Sequence, residues 1–238
     1  MRYEACKWGV EENIMITINT KEELVDILNK YKAYATDYDG TIIDSMHMWN
    51  KFASSYVRSK GIEPKNDLDN KIKYLSNLDA AKIIHDDYNM KESVEYIYDD
   101  INNFVWDVYP TIDFKKGSSE FLNILSKSNR NYLSSATPKI LLKLSLDALK
   151  INDKYNGIYS SSDLGKSKES GELFLHIIKN EKIGKEDLLV IEDSILAMKK
   201  CYELGIDTLI VLDYSNKYNI SDIEKYATYF VDLSKLVW

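Results

Sequence analysis

The chain has little cysteine and no excess of positive charge, and each shortage excludes a class of protein. Two cysteines among 238 residues, Cys6 and Cys201, are too few for a disulfide framework or a zinc-ligand cluster. The chain carries 31 basic and 38 acidic residues, a formal net charge of −7. Proteins that bind nucleic acid need a basic face, so we expect no nucleic-acid partner.

Long hydrophobic runs are also missing. No apolar stretch approaches the length needed to cross a bilayer, and the opening "MRYEACKWGVEENIMI" lacks the apolar segment of a signal peptide. The composition, 45% hydrophobic and 29% charged, is that of an ordinary globular protein. With so few cysteines, the expected location is the cytoplasm, without a membrane partner.

Short apolar runs that read as strands alternate with segments of helical spacing. The predicted strands cover 31–36, 129–136, 155–161, 186–193 and 205–213. Such alternation predicts a Rossmann-like α/β fold, a doubly wound parallel sheet covered by helices on both faces. Ligands of these sheets bind beyond the carboxyl ends of the strands.

One long segment interrupts the alternation directly after the first predicted strand. Residues 46–111 contain no convincing strand and several amphipathic stretches, which predicts an inserted α-helical cap domain. Residues 31–45 and 112–238 would then form the core domain. Residues 1–30 would be an N-terminal extension with one helix, at the capped amphipathic stretch "TKEELVDILNK".

The stretch "AYATDYDGTIID" ends the first predicted strand with two nearby carboxylates, Asp37 and Asp39. A calcium loop of the EF-hand type needs glycine at its sixth position and glutamate at its twelfth, but Ile42 and Met48 stand there. Two interpretations remain open on these residues alone. One is a structural turn, and the other is a metal-assisted phosphoryl-transfer site with a nucleophilic and an acid–base carboxylate.

Later strand ends add groups that favour the second interpretation. The fourth predicted strand ends "LLVIEDS", which brings Glu192 and Asp193 towards the first strand's end. Carboxylates that converge in this way need a hard divalent cation, and Mg²⁺ suits them. The same residues also fit a helix N-terminus, and the two interpretations are compatible.

Two further segments could bind a phosphate. Ser135 and Thr137 in "LSSATPK" precede a predicted helix, where hydroxyls and free amides form an anion site, although both residues are also ordinary helix caps. A lysine in "GKSKESGELF" could neutralise the phosphate, although a solvated loop lysine is equally ordinary. For both segments the argument rests on their combination with the carboxylates.

Together, "DYDGTIIDS", "LSSAT", "KESGELF" and "IEDS", in this order, resemble the four signature motifs of the haloacid dehalogenase superfamily. The helical insert after the first motif is similar to the cap of its β-phosphoglucomutase and phosphoglycolate-phosphatase-like branch. The resemblance covers about residues 32–232. It implies the same α/β core, an inserted helical cap and a Mg²⁺-dependent hydrolase.

The resemblance also implies roles for the acidic residues. Asp37 matches the nucleophile that forms an aspartyl-phosphate, and Asp39 matches the acid–base group. Asp37, Asp193 and the backbone carbonyl of Asp39 match the metal ligands, while Glu192 would bind the metal directly or through water.

The phosphate-binding groups are also implied. Ser135 matches the hydroxyl of the second motif, with Gly40 and Thr137 beside it. Lys168 matches the motif-three lysine better than Lys166, because it lies six residues before Phe174. The first strand departs from the family pattern, since it carries Tyr34 and Thr36 where aliphatic residues are usual.

Asp39 bears on the reaction, since superfamily members that release a halide typically lack this second aspartate. We therefore expect a phosphatase acting on a small phosphorylated metabolite, a sugar phosphate or a similar compound. β-Phosphoglucomutases usually carry a histidine where Trp49 stands and an arginine near Asn77. A sugar phosphomutase, a phosphonatase and a non-catalytic binding module remain as alternatives. Trp49 and Lys73 are predicted to face the substrate, and a monomer is expected.

Overall fold

The computed structural model describes residues 14–73, 75–127 and 130–238. Their strands form one parallel sheet of order β1-β7-β6-β5-β2-β3-β4. The strands are β1 (Ile16–Ile18), β2 (Ala33–Thr36), β3 (Asn131–Ser135), β4 (Gly157–Ser160), β5 (Leu188–Glu192), β6 (Asp207–Val211) and β7 (Tyr229–Val231). The predicted α/β architecture with a parallel sheet is confirmed.

Helices follow most strands and supply the buried faces that cover the sheet. The helices of the core are α1 (Lys21–Leu28), α6 (Ser118–Leu125), α7 (Lys139–Leu149), α8 (Ser161–Leu164), α9 (Glu172–Glu181), α10 (Ile195–Leu204) and α11 (Ile220–Tyr226). Each of the six longer helices buries apolar residues, as Leu24, Phe121, Leu141, Phe174, Met198 and Ile223 illustrate.

The central strand β2 lies between β3 and β5, and this arrangement positions the functional groups. Thr36, its last residue, is paired with Leu133 of β3 and Ile191 of β5. The residues that follow these three strands therefore meet beyond the strands' carboxyl ends. All four residues of β2 are buried.

The polar residues of β2 are satisfied inside the core. The hydroxyl of Tyr34 donates to the carbonyl of Leu28 at 3.0 Å, and the hydroxyl of Thr36 donates to Oδ1 of Asn131 at 2.7 Å. A buried polar group costs little when it is hydrogen-bonded, which explains how this strand departs from an all-aliphatic pattern.

The sheet is wider than the sequence predicts. Helix α1 confirms the helix expected near residue 20, with Thr20 and Glu23 forming a capping box. Residues 16–18, however, form β1 and pair with β7 at the edge of the sheet, so the expectation that the sheet starts at residue 31 is wrong. Three-residue strands are too short to show alternation in sequence. The earlier part of the predicted extension, residues 1–13, and residue 129 of the second predicted strand lie outside the described residues.

Between β2 and β3 the chain forms helices α2 (Met46–Ser59), α3 (Leu68–Ile72), α4 (Asn77–Tyr88) and α5 (Val94–Val105). No strand occurs in the described part of this insert, which lacks only residue 74. Phe52, Tyr56, Ile84 and Ile101 are buried in its interior, and α4 packs along α5. Across the described ranges, no helix has the combination of length and apolarity that spanning a bilayer requires.

Candidate active site

Three buried carboxylates meet beyond the carboxyl ends of the neighbouring strands β2 and β5. Asp37 follows β2, Glu192 ends β5, and Asp193 follows it; one oxygen of each lies within 4.8 Å of the others. The Nζ atom of Lys168 donates to Oδ1 of Asp37 at 2.5 Å and also to Oε1 of Glu192. The cluster thus holds three acidic groups and one lysine.

The electrostatics of this cluster favour an additional cation. Burial raises the pKa of Asp37 well above its usual range; Lys168 lowers it, whereas Glu192, Asp193 and Asp39 raise it further. The pKa of Lys168 is lowered by burial but raised overall by Asp37 and Glu192. Oδ2 of Asp37 is buried and has no hydrogen-bond partner among the described residues. Mg²⁺ prefers hard oxygen ligands such as these carboxylates, and the unpartnered Oδ2 atom of Asp37 is suited to bind it.

Asp193 is held in place from the side of β6. Its Oδ2 atom accepts a hydrogen bond from the Ser215 hydroxyl at 2.9 Å, and its backbone carbonyl accepts from Nδ2 of Asn216 at 3.0 Å. Burial together with Glu192 and Asp213 raises the pKa of Asp193 to about 7. A divalent cation would offset this unfavourable charge.

Gly40 brings the loop after β2 close to Asp193. Its φ of +82° lies in the left-handed region, and a Cβ atom at this position would lie 2.6 Å from Oδ2 of Asp193 and 2.7 Å from Cγ of Met46. The Gly40 carbonyl accepts a hydrogen bond from Nζ of Lys115 at 2.6 Å, and the same lysine forms an ion pair with Asp213 at 2.5 Å. Only glycine fits this turn without displacing Asp193.

Asp39 has a different environment, although it lies only two residues from Asp37. Five side chains donate hydrogen bonds to its carboxylate: Ser45 at 2.8 Å, Trp49 Nε1 at 2.8 Å, Tyr109 at 3.0 Å to both oxygens, Thr137 at 2.8 Å and Ser135 at 3.4 Å. All five are neutral donors, and the carboxylate is not part of the three-carboxylate cluster. The two aspartates of one motif are thus placed in distinct surroundings.

Ser135 and Thr137 lie opposite Asp39 at the end of β3. The backbone amide of Thr137 donates to the Ser135 hydroxyl at 3.0 Å, and α7 begins at Lys139. The start of α10 is organised in a similar way: Ser194 caps it through Ala197, and the Ser194 amide donates to Oε2 of Glu192. The cap interpretation of "IEDS" is therefore confirmed, and it is compatible with the site interpretation.

A cavity lies over these carboxylates, between the sheet edge and the helical insert. Nine of the ten predicted site residues line it, and Gly40, the tenth, lies against Asp193. Trp49 and Lys73 reach the cavity from the insert. Burial lowers the pKa of Lys73, while Asp193 and Asp213 act in the opposite direction. Lys166 does not line the cavity, so the structure places only Lys168 beside the carboxylates.

Some contributing residues escape sequence reasoning. Tyr109 contacts Asp39 from 70 residues further along the chain, and Lys115 contacts Gly40 from 75 residues away. Neither belongs to a recognisable pattern. Asp213 could have been found, since it ends the fifth predicted strand at the same sheet edge as Asp193.

The chain thus combines a parallel α/β sheet, a helical insert and a buried acidic cluster beyond the strand ends. A family model described as haloacid dehalogenase-like hydrolase matches residues 35–211. The chain therefore belongs to this family, as its motifs predict, and is an enzyme of the haloacid dehalogenase hydrolase type. No curated protein sequence matches the chain.

Solved structures share the fold over most of the chain at low sequence identity. β-Phosphoglucomutase from Clostridium difficile is 19% identical, with a TM-score of 0.68 over 86% of this chain and 92% of its own. A predicted phosphoglycolate phosphatase from Haemophilus somnus 129PT is 13% identical, with a TM-score of 0.67 over 86% and 96%. The hydrolase YfnB from Bacillus subtilis, solved bound to magnesium, is 17% identical, with a TM-score of 0.59 over 84% and 94%. The fold of the branch predicted from the sequence is thus confirmed.

Proposed function

We propose that the protein is a Mg²⁺-dependent phosphatase that hydrolyses a small phosphomonoester through an aspartyl-phosphate on Asp37. The observation that carries the proposal is the contrast between the two aspartates. Asp37 lies in an acidic cluster beside Lys168, whereas Asp39 accepts hydrogen bonds from neutral groups on the opposite side. Such a contrast suits one carboxylate for nucleophilic attack and its neighbour for proton transfer.

Each residue has a chemical role in this mechanism. The carboxylate of Asp37 attacks the phosphorus, and Asp39 donates its proton to the leaving oxygen. Asp39 then removes a proton from the water that attacks the aspartyl-phosphate, which regenerates Asp37 and releases phosphate. Lys168, Ser135 and Thr137 bind the phosphoryl oxygens as negative charge shifts between them.

Mg²⁺ would be held by Asp37, Asp193, the backbone carbonyl of Asp39 and, directly or through water, Glu192. It would neutralise charge between an anionic nucleophile and an anionic phosphate. The unpartnered Oδ2 atom of Asp37 and the raised pKa values of Asp37 and Asp193 support this assignment. The magnesium-bound YfnB of the same fold is consistent with it.

We also propose that helices α2–α5 act as a cap that closes over the leaving group and excludes water. With the cap defined as residues 46–111, it contributes Trp49 to the site, and Tyr109 lies near its end, where the chain returns to the core. A cytoplasmic monomer acting on a phosphorylated metabolite is the simplest form of this enzyme.

A sugar phosphomutase is the second candidate, because one structure of this fold is a β-phosphoglucomutase. Against it, Trp49 occupies the position of the histidine usual in those mutases, and the indole donates to Asp39. A mutase would interconvert a hexose 1-phosphate and 6-phosphate and would need a bisphosphate activator.

The test is release of inorganic phosphate from a panel of phosphomonoesters, with Mg²⁺ and with a chelator. Mg²⁺-dependent release that Asp37→Asn abolishes is the expected result. Asp44→Asn is the matched control, because Asp44 belongs to the same motif but is exposed. Unchanged release by Asp37→Asn would show that the nucleophile is assigned wrongly, and no release from any ester would favour a phosphonatase or a binding module.

A further inference from the structure

The wall that the helical insert presents to the cavity is mostly apolar. Six of its residues there are hydrophobic: Met46, Trp49, Phe52, Ile72, Leu75 and Ala80. They come from α2, the end of α3, the following turn and α4, so they form a surface opposite the phosphate-binding edge. A leaving group held between the two domains would contact this surface.

Two of the polar side chains on the same wall already donate hydrogen bonds within the protein. The indole Nε1 of Trp49 donates to Asp39 at 2.8 Å, and Nδ2 of Asn77 donates to Oδ1 of Asn102 at 2.8 Å. Burial lowers the pKa of Lys73, and Asp193 and Asp213 raise it, so its ammonium group is attracted towards the acidic side of the cavity, where the phosphoryl group would bind. The surface left for the leaving group therefore offers few hydrogen-bonding partners.

A sugar fits such a surface poorly. Each hydroxyl that loses water without gaining a partner weakens binding, while each methylene transferred from water to an apolar wall strengthens it. We infer that the substrate is a phosphomonoester of an apolar alkyl or aryl alcohol rather than a sugar phosphate. The inference rests on the proposed function and narrows it to one substrate class.

Esters of primary alcohols test the inference because their leaving oxygens are chemically similar. The measurement is kcat/KM for methyl, propyl, butyl and hexyl phosphate, with erythritol 4-phosphate as the hydroxylated partner of the butyl ester. We expect kcat/KM to rise by about fourfold per added methylene until the wall is covered. The erythritol ester should be at least about tenfold poorer than butyl phosphate, because its hydroxyls lose water without new partners.

Two single substitutions test whether the preference for apolar esters comes from the apolar wall of the insert. Leu75→Ala should lower kcat/KM for hexyl phosphate about tenfold more than that for methyl phosphate, since the longer chain buries more apolar surface against the wall. Leu175→Ala, an exposed leucine of α9 away from the cavity, should change neither value. Equal losses for both esters in Leu75→Ala would contradict the assignment of this wall.

Binding to Asp37→Asn, measured by titration calorimetry with Mg²⁺, separates this inference from the proposed function. Tighter binding of butyl phosphate than of erythritol 4-phosphate supports the inference even if the wild type hydrolyses no ester, a result that would overturn the proposed function alone. Equal or tighter binding of the erythritol ester, with hydrolysis of both, would overturn the inference and leave the phosphatase proposal intact.

Discussion

The substitution Gly40→Ala tests whether the close approach of the loop after β2 to Asp193 matters for metal binding. The new methyl group would lie 2.6 Å from Oδ2 of Asp193, closer than real contacts allow, and the φ of +82° adds strain of about 1–2 kcal/mol for any residue with a Cβ. Displacing a metal-binding carboxylate, or a group that holds it in position, typically weakens metal affinity by about 10–100-fold. We therefore expect both a loss of stability and weaker Mg²⁺ binding.

Gly61→Ala supplies the matched control, because Gly61 has a similar φ of +76° but no atom within 4 Å of the added methyl group. It should lower the Tm by about 2–8 °C, as expected for the backbone strain alone in a chain of this size, and leave Mg²⁺ affinity unchanged. Thermal melting and Mg²⁺ titration of both variants are the assays. Identical Tm and Mg²⁺ affinity in the two variants would refute the reasoning about Asp193.

Three further predictions follow from the contacts of the site. Trp49→Phe should lower kcat/KM by about tenfold for alkyl phosphates but much less for p-nitrophenyl phosphate, whose leaving group needs no proton from Asp39; an equal loss for both would contradict a positioning role. Lys115→Met should destabilise the fold by about 3–5 kcal/mol in chemical denaturation, because it leaves buried Asp213 without its cation, whereas a wild-type value would show that the pair is dispensable. Mg²⁺ affinity should rise by about tenfold from pH 6 to pH 8, because the pKa of Asp193 is raised to about 7 and its proton competes with the metal; equal affinities would contradict this.

The parts of the site that could be predicted are those fixed by strand ends. Asp37 and Asp193 directly follow buried strands, and parallel pairing of β2 with β5 brings any such residues together. The sequence favours Lys168 over Lys166 only through its spacing to Phe174, since both lysines belong to one loop. The structure separates them, because only the side chain of Lys168 enters the carboxylate cluster.

The rest depends on tertiary contacts without a local signal. Strands β1 and β7 have three residues each, too short for a periodic pattern, so the width of the sheet was not predictable. The hydrogen bond from Trp49 to Asp39 was not foreseen either; Trp49 was predicted to face the substrate, and its place on an amphipathic helix gives no sign of a contact with Asp39. Contacts between side chains of the cap and the core depend on the tertiary structure, which the spacing of residues in the sequence does not reveal.

The central claim is that Asp37 accepts the phosphoryl group, and rapid acid quenching followed by peptide mass spectrometry tests it most directly. During turnover of a phosphomonoester with Mg²⁺, the peptide that contains Asp37 should carry one phosphoryl group on that residue. The label should be absent without Mg²⁺ and in Asp37→Asn. A phosphoryl group found on another residue, or hydrolysis that continues at the wild-type rate in Asp37→Asn, would contradict the account.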